Sequence, residues 1–124
     1  MVLTYLPYVE VITDTVRMTE EHLELLRDDD IVVEAFDNPE AKAMLVNSVL
    51  EQYPEKYMVA GSGMAGMDSG NRIVTRRVTG RFYLCGDGES DVAVGRGLVA
   101  PRVMHCAAHE ALTVLRILAG EYDV

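Results

Sequence analysis

The sequence predicts a three-layer α/β fold with a mostly parallel sheet, a β-hairpin extension and a long carboxyl-terminal helix. Apolar runs rich in β-branched residues over 31–36 and 57–60 flank a segment from Pro39 to about Gln52 with helical spacing of apolar residues. Such an order indicates parallel strands joined by a crossover helix. Two further β-like segments, 72–78 and 81–85, surround Thr79-Gly80 and predict the hairpin.

The remaining elements follow from local start and stop signals. Residues 8–12 alternate apolar and polar and predict a first strand entered through Pro7. Thr19 begins a short helix that should end before the three acids at 28–30, because acids are unfavourable at a helix carboxyl end. Residues 86–97 form a glycine- and acid-rich loop, and the last helix runs over 101–119, from Pro101 to the stop at Gly120.

Composition narrows the class of protein. The 124 residues indicate one domain, and 49% hydrophobic with 25% charged residues is ordinary for a soluble globular chain. A formal net charge of −9 argues against binding to nucleic acid or anionic membrane. Residues 1–7 lack the features of a signal peptide, and no stretch reaches membrane-spanning length. Two cysteines are too few for a disulfide scaffold, so the expected location is the reducing cytoplasm.

Asp37 is the first candidate for chemistry. It follows the apolar run 31–36, and Asn38 and Pro39 are helix-start signals. Asp37 is therefore expected at the carboxyl end of a parallel strand, where open α/β sheets bind their ligands. The alternative is an acid that only caps the following helix or is solvated.

Residues 61–66 match the pattern G-x-G-x-x-G after a predicted strand. The dinucleotide-binding fingerprint needs a helix immediately afterwards, and the following residues, 67–71, do not favour one. We therefore favour a flexible turn in which glycines let the backbone approach a ligand or partner closely.

Two further candidates lie near the carboxyl end. His105 and His109 could form a metal pair, but two ligands do not make a site. We expect them on a polar helix face that faces water or a partner, a face formed by Arg102, His105, His109, Thr113 and Arg116. Cys85 has acids nearby, which oppose thiolate formation, so a packing or ligand-lining role is favoured over a nucleophile.

Taken together, several segments resemble the carboxyl-terminal part of the ThiF/MoeB/HesA adenylyltransferase family, related to ubiquitin-activating enzymes, and are most similar to its small ThiF-like branch. The resemblance lies in residues 30–45, 60–66, 82–88, 97–103 and 107–111, and residues 5–11 resemble the family's strand entry, so the resemblance covers nearly the whole chain. It implies a partial Rossmann-like three-layer fold. It also implies ATP-dependent activation of the terminal carboxylate of a ubiquitin-like sulfur carrier protein, of the kind used in thiamine thiazole biosynthesis.

The resemblance assigns roles to particular residues. Asp37 would bind Mg²⁺ at the ATP phosphates, which suits a hard cation that prefers carboxylates, and Asn38, Gly61 and Gly63 would lie at the cofactor. No zinc is implied. The carrier tail would pass residues of and around the 86–97 loop, namely Cys85, Gly86, Asp87, Gly97 and Arg102.

The family's phosphate-binding glycine loop has no counterpart in this sequence, nor do its ribose-binding acid and its phosphate-contacting Asn-Arg pair. We therefore expect a part of an adenylyltransferase that is inactive alone. The alternatives are a non-catalytic carrier-binding or dimerisation module, and a metal-binding regulator that uses His105 and His109. A sheet edge and an apolar face left uncovered would favour a homodimer.

Overall fold

The computed structural model describes residues 8–89 and 97–124, which form an α/β fold around a four-stranded, mostly parallel open sheet. Two 3-10 helices accompany the sheet and the two α-helices. In chain order the elements are a 3-10 helix Glu20–Leu26, β1 Ile31–Glu34, α1 Pro39–Gln52, β2 Tyr57–Gly61, a 3-10 helix Gly70–Arg72, β3 Val74–Thr79, β4 Phe82–Gly86 and α2 Ala100–Leu118.

The strand order is β1-β2-β4-β3. β2 pairs in parallel with both β1 and β4, so the carboxyl ends of these three strands meet at one edge of the sheet. β3 pairs antiparallel with β4 and forms the predicted hairpin, with a register shift between Arg77 and Thr79. The prediction of a mostly parallel sheet with a hairpin extension is thus confirmed.

Helix α1 begins and ends where the sequence predicts. The Asn38 side chain accepts a hydrogen bond from the Ala41 amide at 3.0 Å, and Pro39 occupies the first turn, where its missing amide hydrogen is not needed. The helix ends at Gln52, two residues before Pro54.

The sheet separates two apolar clusters because successive side chains of a strand point to opposite faces. Met58 and Ala60 of β2 pack with Val49 of α1 on one face. Val59 packs with Tyr83, Cys85 and the helix α2 residues Cys106 and Ile117 on the other face.

Helix α2 is rotated relative to the predicted orientation. Its buried side is formed by Arg102, Cys106, Glu110, Thr113 and Ile117. The prediction that Arg102 and Thr113 belong to a polar face towards water or a partner is therefore wrong, because both are buried within the fold. A polar helix residue can face inwards when it finds a partner there, and sequence spacing does not reveal that partner.

Two other predictions need correction. Residues 8–12 are exposed and form no strand, because they pair with none of the described strands. β1 ends at Glu34, two residues earlier than predicted, and Phe36 instead donates its amide to the Glu34 carboxylate at 2.6 Å. Most of the 86–97 loop (residues 90–96) lies outside the described residues.

The carboxyl end of α2 forms the predicted stop. Gly120 has a φ of +82°, and its amide bonds to the Ile117 carbonyl at 3.0 Å while the Glu121 amide bonds to the Arg116 carbonyl at 2.8 Å. These two bonds are those of a glycine-terminated helix.

No helix within residues 8–89 and 97–124 is both long and apolar enough to cross a membrane.

The end of β4 depends on a glycine, which gives a direct test of the fold. Gly86 has a φ of +139°, and a Cβ placed there would overlap the Ser62 carbonyl oxygen. We expect Gly86→Ala to lower the free energy of unfolding by about 1–3 kcal/mol from backbone strain, with the overlap adding to it. Urea denaturation measures the change. Gly80→Ala is the matched control, because a Cβ at Gly80 meets open space; equal effects of both substitutions would contradict the structure.

Candidate functional site

A cavity of about 370 Å³ lies at the carboxyl ends of β1 and β2, beneath helix α2. This is the position at which open parallel sheets bind ligands. Apolar side chains such as Phe36, Met64 and Val103 line part of the wall. The charged lining residues are Glu34, Asp37, Lys42, Glu89 and Glu110.

The inner part of the cavity contains a buried ion pair. Glu34, the last residue of β1, is completely buried. Lys42, from the first turns of α1, donates to both Glu34 carboxylate oxygens at 3.0 and 3.2 Å and to the Gly61 carbonyl at 3.2 Å. The pair thereby joins β1, α1 and the end of β2. Removing one partner of such a pair typically costs about 3–5 kcal/mol, because the other charge is left buried.

Glu110 reaches the same region from α2. Its side chain is 9% exposed, and its Oε1 atom makes no hydrogen bond within the described part of the chain. Burial raises the pKa of the Glu110 carboxyl to about 7; the Glu34 carboxylate raises it further and Lys42 opposes the shift. A carboxyl group that titrates near neutral pH can gain or lose a proton under physiological conditions, which is a common property of functional acids.

Two loops beside the cavity are held together by Arg102. Its guanidinium donates to the Ala65 carbonyl at 2.6 Å and to the Asp87 carboxylate at 3.0 Å. Backbone hydrogen bonds add to this link, from Asp87 to the Gly63 carbonyl at 2.8 Å and from Gly66 to the Gly97 carbonyl at 2.9 Å. The 61–66 turn is therefore fixed against the first and last residues of the 86–97 loop, and Gly63, with a φ of +83°, permits the close approach to Asp87.

The residues predicted to bind a cofactor are partly brought together. Asp37 is exposed and lines the cavity, as do Gly61 and Gly63. Asn38 does not line it, and its side-chain oxygen caps α1. Asp37 follows the end of β1 by three residues, so it lies at the rim of the cavity and outside the strand.

The predicted carrier-facing residues separate into exposed and buried groups. Gly97 is exposed, whereas the Asp87–Arg102 ion pair has side-chain exposures of only 7% and 6%. Cys85 is completely buried, and Gly86 is buried beside it, so neither residue presents an exposed surface to a carrier in this structure. Burial raises the pKa of the Cys85 thiol and raises that of Cys106 to about 12. Both thiols are therefore neutral packing groups near pH 7.

The histidines of α2 form no metal centre with other described residues. The rings of His105 and His109 are 5.0 Å apart between centroids, and His109 Nδ1 lies 2.9 Å from the Thr75 hydroxyl oxygen. Partial burial, with His105 nearby, lowers the pKa of His109. Within residues 8–89 and 97–124, no group of three or more His, Cys, Asp or Glu side chains is placed to hold a metal ion.

Sequence reasoning missed Glu34, Lys42 and Glu110. A signal for Glu34 was present, since an acid inside an apolar strand is expected to need a buried partner. Glu110 could not be found in this way, because its inward direction depends on the rotation of α2.

Comparison of the chain with protein-family models, curated proteins and solved structures finds no match.

The raised pKa of Glu110 predicts a specific pH dependence of stability. The carboxyl ionises at about 7 in the folded protein and near 4.5 in the unfolded chain. The folded state therefore holds the Glu110 proton more tightly than the unfolded chain does. The stability that results is fully present below the unfolded pKa of 4.5 and is lost as the pH rises through the folded pKa of about 7. We expect Glu110→Gln to remove a decline of the unfolding free energy of at most about 3 kcal/mol between these values.

Urea denaturation at several pH values measures this decline. Glu121→Gln is the control, because Glu121 is exposed on the turn after the same helix. An unchanged pH profile in Glu110→Gln would show that the carboxyl does not titrate near neutral pH.

Proposed function

We propose that this chain supplies the magnesium-binding, carboxyl-terminal part of a ThiF-like adenylyltransferase with a Rossmann-like nucleotide site. The substrate would be the terminal carboxylate of a ubiquitin-like sulfur carrier protein. The supporting observation is the position of Asp37, an exposed carboxylate at the rim of a cavity formed by the carboxyl ends of parallel strands. The resemblance of residues 30–45 supplies the type of reaction.

Asp37 fits magnesium better than a transition metal. It is an oxygen ligand at an open rim, with no three-residue set of metal ligands in the described part of the chain. Magnesium bound to a nucleotide commonly takes one or two protein carboxylates and obtains its other ligands from phosphates and water. Bound Mg²⁺ would neutralise phosphate charge and make the α-phosphate of ATP easier for a carboxylate to attack.

The remaining residues would hold the nucleotide at the rim. Glu34 and Glu110 make the inner cavity unfavourable for phosphates, and Lys42 is already paired with Glu34. The 61–66 turn leads, after a short exposed stretch, into a three-residue 3-10 helix at 70–72 and provides no long helix amino terminus for phosphates. The phosphate cradle of the complete enzyme would therefore come from another part of the enzyme. We expect the chain alone to bind MgATP weakly and to show no ATP–pyrophosphate exchange.

The role of Asp37 can be tested by NMR titration. With MnATP as a paramagnetic probe, we expect broadening of the amide signals of residues 36–38 and 61–63. Asp37→Asn should weaken the binding of MgATP by about tenfold, which corresponds to roughly 1.4 kcal/mol.

Asp14→Asn is the matched control, because Asp14 is an exposed acid that does not line the cavity. Broadening elsewhere, or an unchanged affinity in Asp37→Asn, would contradict the proposed metal position. ATP–pyrophosphate exchange by the chain with a carrier protein would contradict the proposed dependence on a separate cradle.

The second candidate function is a non-catalytic module that binds a carrier or a second copy of the chain. The apolar outer side of α2 favours it. Met104, Leu112, Leu115 and Leu118 are each more than half exposed, although large apolar patches are usually covered in soluble proteins. We propose that a second copy covers this side in a homodimer.

Analytical ultracentrifugation at micromolar concentration tests the dimer. The double substitution Leu115→Gln and Leu118→Gln should give a monomer, since it places two polar groups in the proposed apolar contact. Val78→Gln is the control, because Val78 is a half-exposed apolar residue on β3. A monomeric mass for the unsubstituted chain would rule out this dimer.

A further inference from the structure

Glu110 is a buried hydrogen-bond acceptor that the described residues leave unused. Its Oε1 lies so close to the Cα of Gly61 that a Cβ built there would be 2.9 Å away. Lys42, the nearby cation, directs its ammonium group to Glu34 Oε1, Glu34 Oε2 and the Gly61 carbonyl. A lysine ammonium has three donors, so none remains for Glu110. A buried carboxylate oxygen without a donor is costly, and a ligand that supplies the donor removes that cost.

The charges around Glu110 identify the kind of donor that fits. Lys42 and Glu34 compensate one another in their ion pair, while Asp37 and Glu89 also line the cavity. No other described lining residue is a lysine or arginine. Cys106 and Cys85, which face Glu110 from α2 and β4, have raised thiol pKa values and stay neutral. Among the described residues, the cavity lining therefore has an excess of negative charge, which favours a cationic ligand at the inner end.

The wall of the cavity limits the shape of the ligand. Phe36, Met64, Leu98 and Val103 provide apolar surface beside the acids. The volume of about 370 Å³ lies within the range of small-molecule sites. A bare metal ion does not fit, since the part of the chain that the structure describes holds no set of three ligands. A small organic cation with a short alkyl chain satisfies both the acid and the apolar wall.

We propose that the inner end of the cavity binds an aliphatic primary ammonium group. One ammonium N–H donates to the carboxylate of Glu110, which lines the cavity, and the alkyl chain packs against the apolar wall. This site is distinct from the proposed magnesium position, because Glu110 is buried at the inner end and Asp37 is exposed at the rim. The inference does not depend on the proposed adenylyltransferase function.

The ionised form of Glu110 should bind the ammonium group best, because it compensates the positive charge. The carboxyl pKa of about 7 predicts that the affinity rises with pH. Between about pH 6 and about pH 8 the ionised fraction increases about tenfold, and the affinity should increase by a similar factor. An alkylammonium ion itself remains protonated throughout this range, as a lysine side chain does.

The test compares n-butylammonium with n-butanol, which has a similar shape but no charge. Amide chemical shifts of Gly61, Gly63 and Met64 report occupancy of the cavity in NMR titrations of the whole chain. At about pH 8 we expect n-butylammonium to bind the native protein at least about tenfold more tightly than n-butanol. Glu110→Gln should abolish this preference, and Glu121→Gln should leave it unchanged.

Three results would overturn the proposal. These are equal affinities for the amine and the alcohol, no binding of n-butylammonium at any pH, and a preference that survives in Glu110→Gln. The pH dependence of the native protein provides a test that needs no substitution, so impaired folding of the variant cannot obscure the result. Asp37→Asn should weaken n-butylammonium binding far less than Glu110→Gln does, whereas it should weaken MgATP binding by about tenfold. This difference separates failure of this site from failure of the proposed MgATP site.

Discussion

The buried pair of Glu34 and Lys42 determines how the carboxyl edge of the sheet is built. Lys42 lies near the start of α1, and its ammonium group contacts the end of β1 and the end of β2 at once. A buried ion pair often adds little net stability compared with apolar residues of the same size. Its effect here is on geometry, because each charge is costly unless the other is in place. The crossover helix is consequently fixed against both strands.

The same carboxylate explains where the rim of the cavity begins. Glu34 accepts the amide of Phe36, so the chain leaves the sheet after Glu34 and does not continue the ladder. Asp37 then follows at the rim, and Asn38 caps the helix that carries Lys42. The buried Glu34 thus positions both the exposed Asp37 carboxylate and Lys42, the cation that balances the Glu34 charge. Glu110 accepts no hydrogen bond from Lys42, and it is left as the weakly compensated acid of the cavity.

The sequence was sufficient for those parts of the fold that depend on local signals. The limits of α1 follow from Asn38, Pro39 and Pro54, and the hairpin follows from Thr79-Gly80, because caps and turns act over a few residues. The rotation of α2 could not be predicted in this way. Helical spacing places Leu115 and Leu118 on one apolar side and predicts that this side is buried. The structure instead buries the side that contains Arg102 and Glu110. The choice depends on tertiary contacts such as Arg102 with Asp87, which are 15 residues apart. Lys42 and Glu110 were missed for the same reason, whereas Glu34 carries a local signal as an acid inside an apolar strand.

The unusual orientation of α2 connects the site with the surface of the protein. Its inward side contains Arg102, which fixes two loops, and Glu110, which reaches the cavity. Because polar residues occupy the inward side, Leu115 and Leu118 remain on the outward side. In a typical amphipathic helix the apolar side faces the core and the polar side faces water, which is the opposite of what α2 does. Val103 and Ala107 line the cavity from the helix turns next to exposed Met104. A partner that covered the apolar side would therefore lie beside the cavity.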